Sequence, residues 1–324
     1  MRTRTKVWLI IAASLVLIGC VLFAGVMTTL RWDFTKLSTV KYETNTYEVS
    51  NAFEGISIDT DTADIEFALS DNGKCRVECH EEENAKHFVI VENEALIVEL
   101  NDKRAVNDFI EYIGINFGSP KITIYLPNAE YTTLLIHGDT SDVEIPKDFT
   151  FKNVDISLSI GDVDFCASAF ESIKVKTSTG DICVKNISVG TLDLSVSTGK
   201  VTVSSVTCEG DIVVCVSTGE AYMTDIACKS VISSGNTGDI SLDNVIAEEK
   251  FSIERSTGDV KFNSCDAAEI YVKTDTGDVN GTLLSDKVFV TETDTGNISV
   301  PNSIMGGRCE ITTDTGDIKM DVIS

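Results

Sequence analysis

A glycine recurs through the second half of this chain at Gly161, Gly180, Gly199, Gly219, Gly238, Gly258, Gly277, Gly296 and Gly316, in steps of 19 or 20 residues. A period held this tightly signals a stacked repeat architecture. It is too short for the common helix-pair repeats, and the intervening residues are rich in Val, Ile and Thr in strict alternation, which is strand chemistry. Seven positions before each glycine, from the second onward, stand Ile173, Leu192, Ile212, Val231, Phe251, Ile270, Phe289 and Cys309, all apolar. Two positions after it stand Ile182, Val201, Ala221, Ile240, Val260, Val279, Ile298 and Ile318. Immediately before it is a threonine in every case, from Thr179 to Thr315.

Before the glycine the apolar positions fall at odd offsets, and after it at even ones, so the alternation slips by one residue. A strand that keeps one face inward while turning a corner needs that extra residue. Glycine supplies the unusual backbone angles, and the Asp that usually follows can bond nearby amides. The recurring TGD is thereby read as a corner, with the preceding Thr expected to face inward and bond between turns. The object implied is an all-β fold, a parallel β-solenoid of about 19–20 residues per rung, right-handed by the crossover rule. Rungs about 4.8 Å apart make a rod of roughly 45–50 Å. The spacing leaves two or three sheets per rung open.

Residues 53–139 are less regular and read as a β cap continuous with the solenoid of 140–324. Phe53–Phe67 is a weaker rung with Ala63 at the glycine position, and Thr140-Ser141-Asp142-Val143 restores the corner 78 residues after Ala63. Lys74–Cys79, Ala95–Leu100 and Lys121–Leu126 alternate as strands. Asn101–Gly118 is a long connection with helical potential. The chain stops at Ser324, just past the last glycine, so the C-terminal rung is expected to be an open edge. Lys319 and Asp321 would discourage pairing there, and self-association through that rung is the competing reading.

The N-terminus is different in kind. Val7–Leu30 is 24 residues without a charge, long enough to span a bilayer core. Arg2, Arg4 and Lys6 precede it, which favours a cytoplasmic segment at 1–6, an anchor at 7–30, a linker at 31–52 and a body outside the cell. A cleaved signal peptide has a shorter apolar stretch. Leu17-Ile18-Gly19-Cys20 is similar to a lipobox, but apolar residues continue for ten positions past Cys20. The localisation expected is a single-pass cell membrane protein with an extracytoplasmic C-terminal body.

The chain has 324 residues, 43% of them hydrophobic, enough for a sizeable core. Its net charge is −25. Of its 26 basic and 51 acidic residues, five (Arg2, Arg4, Lys6, Arg31, Lys36) and one (Asp33) lie in the first 36, so the remainder carries 21 and 50. Such a body lacks the basic footprint that nucleic acid requires.

The STGDI, NTGDI, STGDV and DTGDI series, the YLPN leader at Tyr125–Asn128 and the single N-terminal anchor resemble a bacterial family of adhesin-like proteins, a domain of unknown function found especially in Gram-positive envelopes. The resemblance covers about Phe53 to Ser324. It implies an outward-facing β-solenoid and offers no catalytic residues to carry over. Some similar proteins are linked to envelope-stress systems.

Three chemical readings compete with the corner. Asp275, Asp294 and Asp314 each open a D-T-G triplet like those of aspartic proteases, but that chemistry needs two loops face to face, and here they recur at rung spacing. Asp239, Asp259, Asp278 and Asp317 form a second acidic column that Ca²⁺ could bridge, yet the nonapeptide of Ca²⁺-binding β-rolls is absent. Larger β-helices degrade polysaccharides with clustered acids; the three histidines, His80, His87 and His137, all precede the regular repeat, and no Ser-His-Asp or Cys-His set is traceable. Cys208 and Cys228, one rung apart, are spaced for a disulfide, and Cys75 and Cys79 read as core thiols. No residue is assigned a catalytic, cofactor or metal role, and no cofactor is expected. The function expected is a non-enzymatic envelope binding or scaffold module whose partners are the membrane and an envelope protein or glycan. A stress regulator acting through a membrane partner and a polysaccharide-active enzyme are the alternatives.

Overall fold

The computed structural model describes residues 3–33, 41–102 and 119–323. Most of the connection expected at 101–118 lies outside the described residues, as does much of 31–40. One helix, α1 (Thr3–Thr29), precedes an otherwise all-β chain. The β body is a parallel solenoid of about ten turns.

The burial of one turn shows how the rung is bent. Ile182 and Val184 are buried, then Ile187 and Val189, then Leu192, Leu194 and Val196. Each group alternates strictly within itself, and each boundary slips by one. The first slip is the glycine. The second is Asn186 (φ 58°), repeated at Ser205 (54°), Asp225 (54°), Asn244 (53°) and Ser264 (54°), all left-handed. Asn, Asp and Ser tolerate that conformation better than bulkier residues do. The third lies at Gly190–Thr191, and register shifts recur at this third corner between Cys228 and Ser230 and between Ala247 and Lys250. Three corners divide the rung into three faces around one apolar core, which resolves the open choice of sheets.

The threonine before each glycine does not face inward. Thr179 is exposed, and the buried threonine is two residues earlier, Thr177. The corner turns four consecutive residues outward rather than two, which keeps the same one-residue slip. The bonding expected of the outward threonine belongs to the inward one: the hydroxyls of Thr177, Thr274, Thr313 and Thr293 donate to the carbonyls of Gly161, Gly258, Gly277 and Gly316, each in an adjoining rung.

The stacking order departs from sequence order at the C-terminal end. The strands Val260–Thr276 and Val279–Leu283 do not carry Lys287–Thr295 as their next neighbour. They pair with Gly307–Thr315 and Ile318–Val322, and these pair on their other side with Lys287–Thr295 and Ile298–Ser299. The glycine column confirms it: Gly277 N–H donates to Thr315 C=O (2.9 Å) and Gly316 N–H to Thr295 C=O (3.0 Å). The chain skips one rung spacing, lays down 287–299, and returns through 300–306 to fill the gap. The C-terminal rung is therefore interior, contrary to the expectation of an open edge there. The outermost rung is 287–299, with Val290 and Ile298 nearly half exposed.

At the other end, β1 (Tyr42–Val49), β2 (Gly55–Thr60), β3 (Asp64–Leu69), β4 (Cys75–Glu82), β5 (Ala85–Glu92), β6 (Ala95–Asp102) and β7 (Lys121–Leu126) form the cap. β2 and β3 make a rung lying directly on the strands Glu130–Thr140 and Val143–Ile145, so the 78-residue spacing from Ala63 to Ser141 is a single rung step. β6 and β7 continue in parallel on β2 and β3. Beyond them pairing turns antiparallel: β5 on β6, β4 on β7, and β1 on β4. β1 lies inside the segment expected to be a linker.

Candidate functional site

The TGD edge is built from backbone upward. At Gly180 φ is +141°, and a Cβ there would lie 2.0 Å from the carbonyl oxygen of Gly161 in the next rung. No other residue fits so close an approach. At most of the corners the N–H of the residue after the glycine points back along the stack and needs an acceptor. The preceding rung's Asp supplies it: Asp162 N–H to Asp142 (2.8 Å), Asp181 to Asp162 (2.7 Å), Asp278 to Asp259 (2.9 Å), Asp317 to Asp278 (2.8 Å) and Asn297 to Asp317 (2.7 Å). The acidic column closes backbone hydrogen bonds at a corner where the strand ladder is interrupted.

Asp275, Asp314 and Asp294 stack on three successive rungs, exposed and on the same edge. They do not face one another as a protease pair does. Among the described residues, neither acidic column brings three candidate metal ligands within 4.8 Å; one group does so, Cys79, Glu81 and His87 in the cap.

Two of its members, Glu81 and His87, belong to a hydrogen-bonded chain with Thr60 that the sequence reading missed. Thr60 ends β2, Cys79 and Glu81 lie on β4, and His87 on β5. Thr60 Oγ1 is 2.9 Å from His87 Nε2, and His87 Nδ1 is 2.8 Å from Glu81 Oε2. An ionised carboxylate only accepts, so Nδ1 carries the proton of that contact, and in the neutral ring Nε2 accepts from the Thr60 hydroxyl. Glu81 also accepts from the His87 backbone N–H (2.6 Å) and from Asn45 Nδ2 (2.7 Å). Burial alone would raise the Glu81 pKa, but the bonds from the His87 ring, the His87 backbone and Asn45 outweigh it and hold the group below its usual value. Burial, helped by Glu81, pushes the Cys79 thiol up to about 12.

The order hydroxyl–imidazole–carboxylate is that of an acyl-transfer triad, but its setting differs. Thr60, His87 and Glu81 are 2%, 4% and 1% exposed, and the void beside them is about 20 Å³, room for a single water. A substrate cannot reach the hydroxyl. A metal would have to break the His87–Glu81 bond and ionise a thiol that burial keeps protonated. The chain pins β1, β4 and β5 onto the first rung; Tyr47 adds a bond to the His87 carbonyl (2.9 Å). All ten cysteines are free thiols, Cys208 and Cys228 included.

The solved structures similar to this chain are distant in sequence. A "putative lipid binding protein" from Parabacteroides distasonis is 16% identical, with TM-score 0.51 over 86% of this chain and 97% of that one. A "putative adhesin" from Bacteroides fragilis is 16% identical (TM-score 0.43, 87% and 97% covered), and one from Parabacteroides distasonis is 11% identical (TM-score 0.47, 86% and 97%). Among curated proteins, none matches the chain. The Toastrack DUF4097 model matches residues 53–217 and 209–323, the solenoid and the cap from β2 onward without the helix or β1, and the chain belongs to that family.

Proposed function

We propose that the protein is a non-enzymatic binding or scaffold module, held on the outer side of a bacterial cell membrane by its N-terminal helix and presenting the β body to the envelope. The observation that carries this reading is the helix. Val7–Thr29 is 23 residues, about 35 Å at 1.5 Å per residue, which matches a hydrocarbon core of about 30 Å with modest tilt. Trp8, Val16, Leu17 and Ile18, spread around its circumference, are each more than half exposed, an apolar surface that lipid would cover. A rod whose inward positions are consumed by packing, and whose acidic corner is consumed by backbone bonding, offers its outer faces for binding.

The test uses the full chain in bacterial membranes. Resistance to carbonate extraction, an intact N-terminal mass, and digestion of the body by protease added to spheroplasts are the expected results. Loss of the first residues, or a lipid adduct on Cys20, would replace the anchor with a cleaved or lipidated terminus. Protection of the body from outside protease would overturn the placement. Turnover of any envelope polysaccharide, abolished by one acidic substitution, would overturn the non-enzymatic reading.

A further inference from the structure

The inward position three residues before the glycine holds Leu158, Thr177, Val196, Val216, Thr274, Thr293 and Thr313 in seven rungs. In two adjoining rungs it holds Gly235 and Arg255, which lie directly in register. Arg255 is 3% exposed. Its side chain runs along the stack through the space Gly235 leaves, and Nη1 donates to Val216 C=O at 2.8 Å, two rungs away. A Cβ at position 235 would lie 1.8 Å from that Nη1. The glycine is thus the opening that admits the guanidinium.

Nη1 is satisfied; among the described residues, Nε and Nη2 have no hydrogen-bond partner. These two nitrogens share one edge of the planar group, and their N–H bonds are parallel. That edge is the fork that receives both oxygens of one carboxylate. Burial lowers the Arg255 pKa to about 10, against smaller opposing effects of Cys215 and Asp239, so the group stays charged at neutral pH. A buried charge without a counter-ion is costly.

Arg255 lines a lateral depression of about 430 Å³ together with Ser217, Ser234, Asn236, Ser256, Glu254, Lys273 and Asp275. The volume suits one small molecule. The hydroxyl and amide side chains suit a polyhydroxylated one. Glu254 and Asp275 offset Arg255 and Lys273, so the lining suits a single negative charge better than a polyanion, which the net charge of −25 also opposes.

We propose that this depression binds a sugar acid, its single carboxylate held on the Nε and Nη2 edge of Arg255 and its hydroxyls against the serines and Asn236. Both nitrogens are sheltered from bulk water, so the ligand reaches them only through the depression. Gly235 and Arg255 act as a pair, one making the passage and the other filling it. The site deepens the binding-module reading but does not depend on the membrane placement, because its test is run on the purified chain.

The experiment is titration calorimetry on the full chain in lipid nanodiscs at fixed ionic strength, with galacturonate, galactose and inorganic phosphate as probes. Saturable binding of galacturonate alone is expected. Arg255→Met should weaken it about tenfold or more while the body stays folded, because it replaces a buried charge with an apolar side chain of similar length. Gly235→Ala, which closes the passage and keeps the charge, should weaken it as well. Equal binding of galactose, a preference for phosphate, undiminished binding by Arg255→Met, or no binding of galacturonate would each overturn the proposal. Failure here with the body still accessible to outside protease would leave the anchored-rod reading standing.

Discussion

The backbone N–H of Asp162 donates to the carboxylate of Asp142 at 2.8 Å, across one rung of the stack. The same bond links Asp259 to Asp278 at 2.9 Å. Each carboxylate thereby takes the place of a backbone acceptor that the corner removes. Asp259→Ala should destabilise the body by about 1–2 kcal/mol, because it leaves an N–H without its partner. Asp259→Asn keeps an accepting oxygen and should cost less. Thermal unfolding of the two variants checks this; equal losses would mean that the charge, and not the acceptor, is what the corner uses.

The glycine column makes a sharper demand. At Gly277 φ is +153°, and a Cβ would lie 2.0 Å from Gly258 O. Gly73 also has positive φ (+70°), but nothing lies within 4 Å of its Cβ position. Gly73→Ala therefore carries the backbone cost alone, about 1 kcal/mol. Gly277→Ala adds a backbone clash that only separation of two rungs relieves, for a total of about 2–3 kcal/mol. Local hydrogen exchange around each site is the suitable measurement, because a stacked repeat opens rung by rung. Similar costs at the two positions would refute the close-approach account.

In the cap, Glu81 gives a pH dependence with a definite sign. Its folded-state pKa is held below the ordinary 4.5 by the His87 and Asn45 bonds, which outweigh burial. The unfolded chain therefore binds the proton more readily, and the stabilisation is present above about pH 4.5 and lost as pH falls through the folded value. Glu81→Gln should cost about 1.5–3 kcal/mol at pH 7, since it removes a charged acceptor of three bonds. The gap between variant and wild type should close in acid. Unfolding curves between pH 7 and pH 3 test it; a gap that widens in acid would contradict the assignment.

The solenoid was legible because each rung repeats the same local problem. A glycine must approach a carbonyl, an Asp must receive an N–H, and apolar residues must alternate, so the period is written at every corner. The second corner was equally written, in Asn186, Ser205, Asp225, Asn244 and Ser264, but its residue types vary and no single letter marks it. The inward threonine was misplaced by two positions because an odd slip in alternation is the same whether two or four residues turn outward. The Thr60–His87–Glu81 chain was not legible: three strands of the aperiodic cap bring it together, and no spacing in the sequence encodes their pairing. Arg255 stands in a column of Thr, Val, Leu and Gly that the sequence analysis did not single out, and only the register with Gly235 explains why a charge is tolerated there.

The stacking order at the C-terminal end was hidden by the repetition that revealed the fold. TDTGD at 274–278, TDTGN at 293–297 and TDTGD at 313–317 are so alike that each could sit on any other. Val300–Gly306 lets the chain step back one spacing, and Lys287, 3% exposed, ties its rung to Asp266 at 2.6 Å and to Ser285. Removal of residues 307–324 discriminates the two orders. Under sequential stacking, 287–299 would remain paired on 260–283 and keep its protection. In the order observed, both sides of 307–322 are occupied, so its removal leaves 287–299 one full spacing, about 4.8 Å, out of reach of its neighbour. Hydrogen exchange on the truncated chain should then show 287–299 unprotected together with a newly exposed edge at Tyr271–Thr276, while 163–258 is unchanged. Retained protection in 287–299 means either that this rung collapses onto 260–283 or that it lay there from the start. Exchange in the full chain separates the two, since an interior 307–322 exchanges more slowly than the outermost 287–299, and the reverse ranking would overturn the interleaved order.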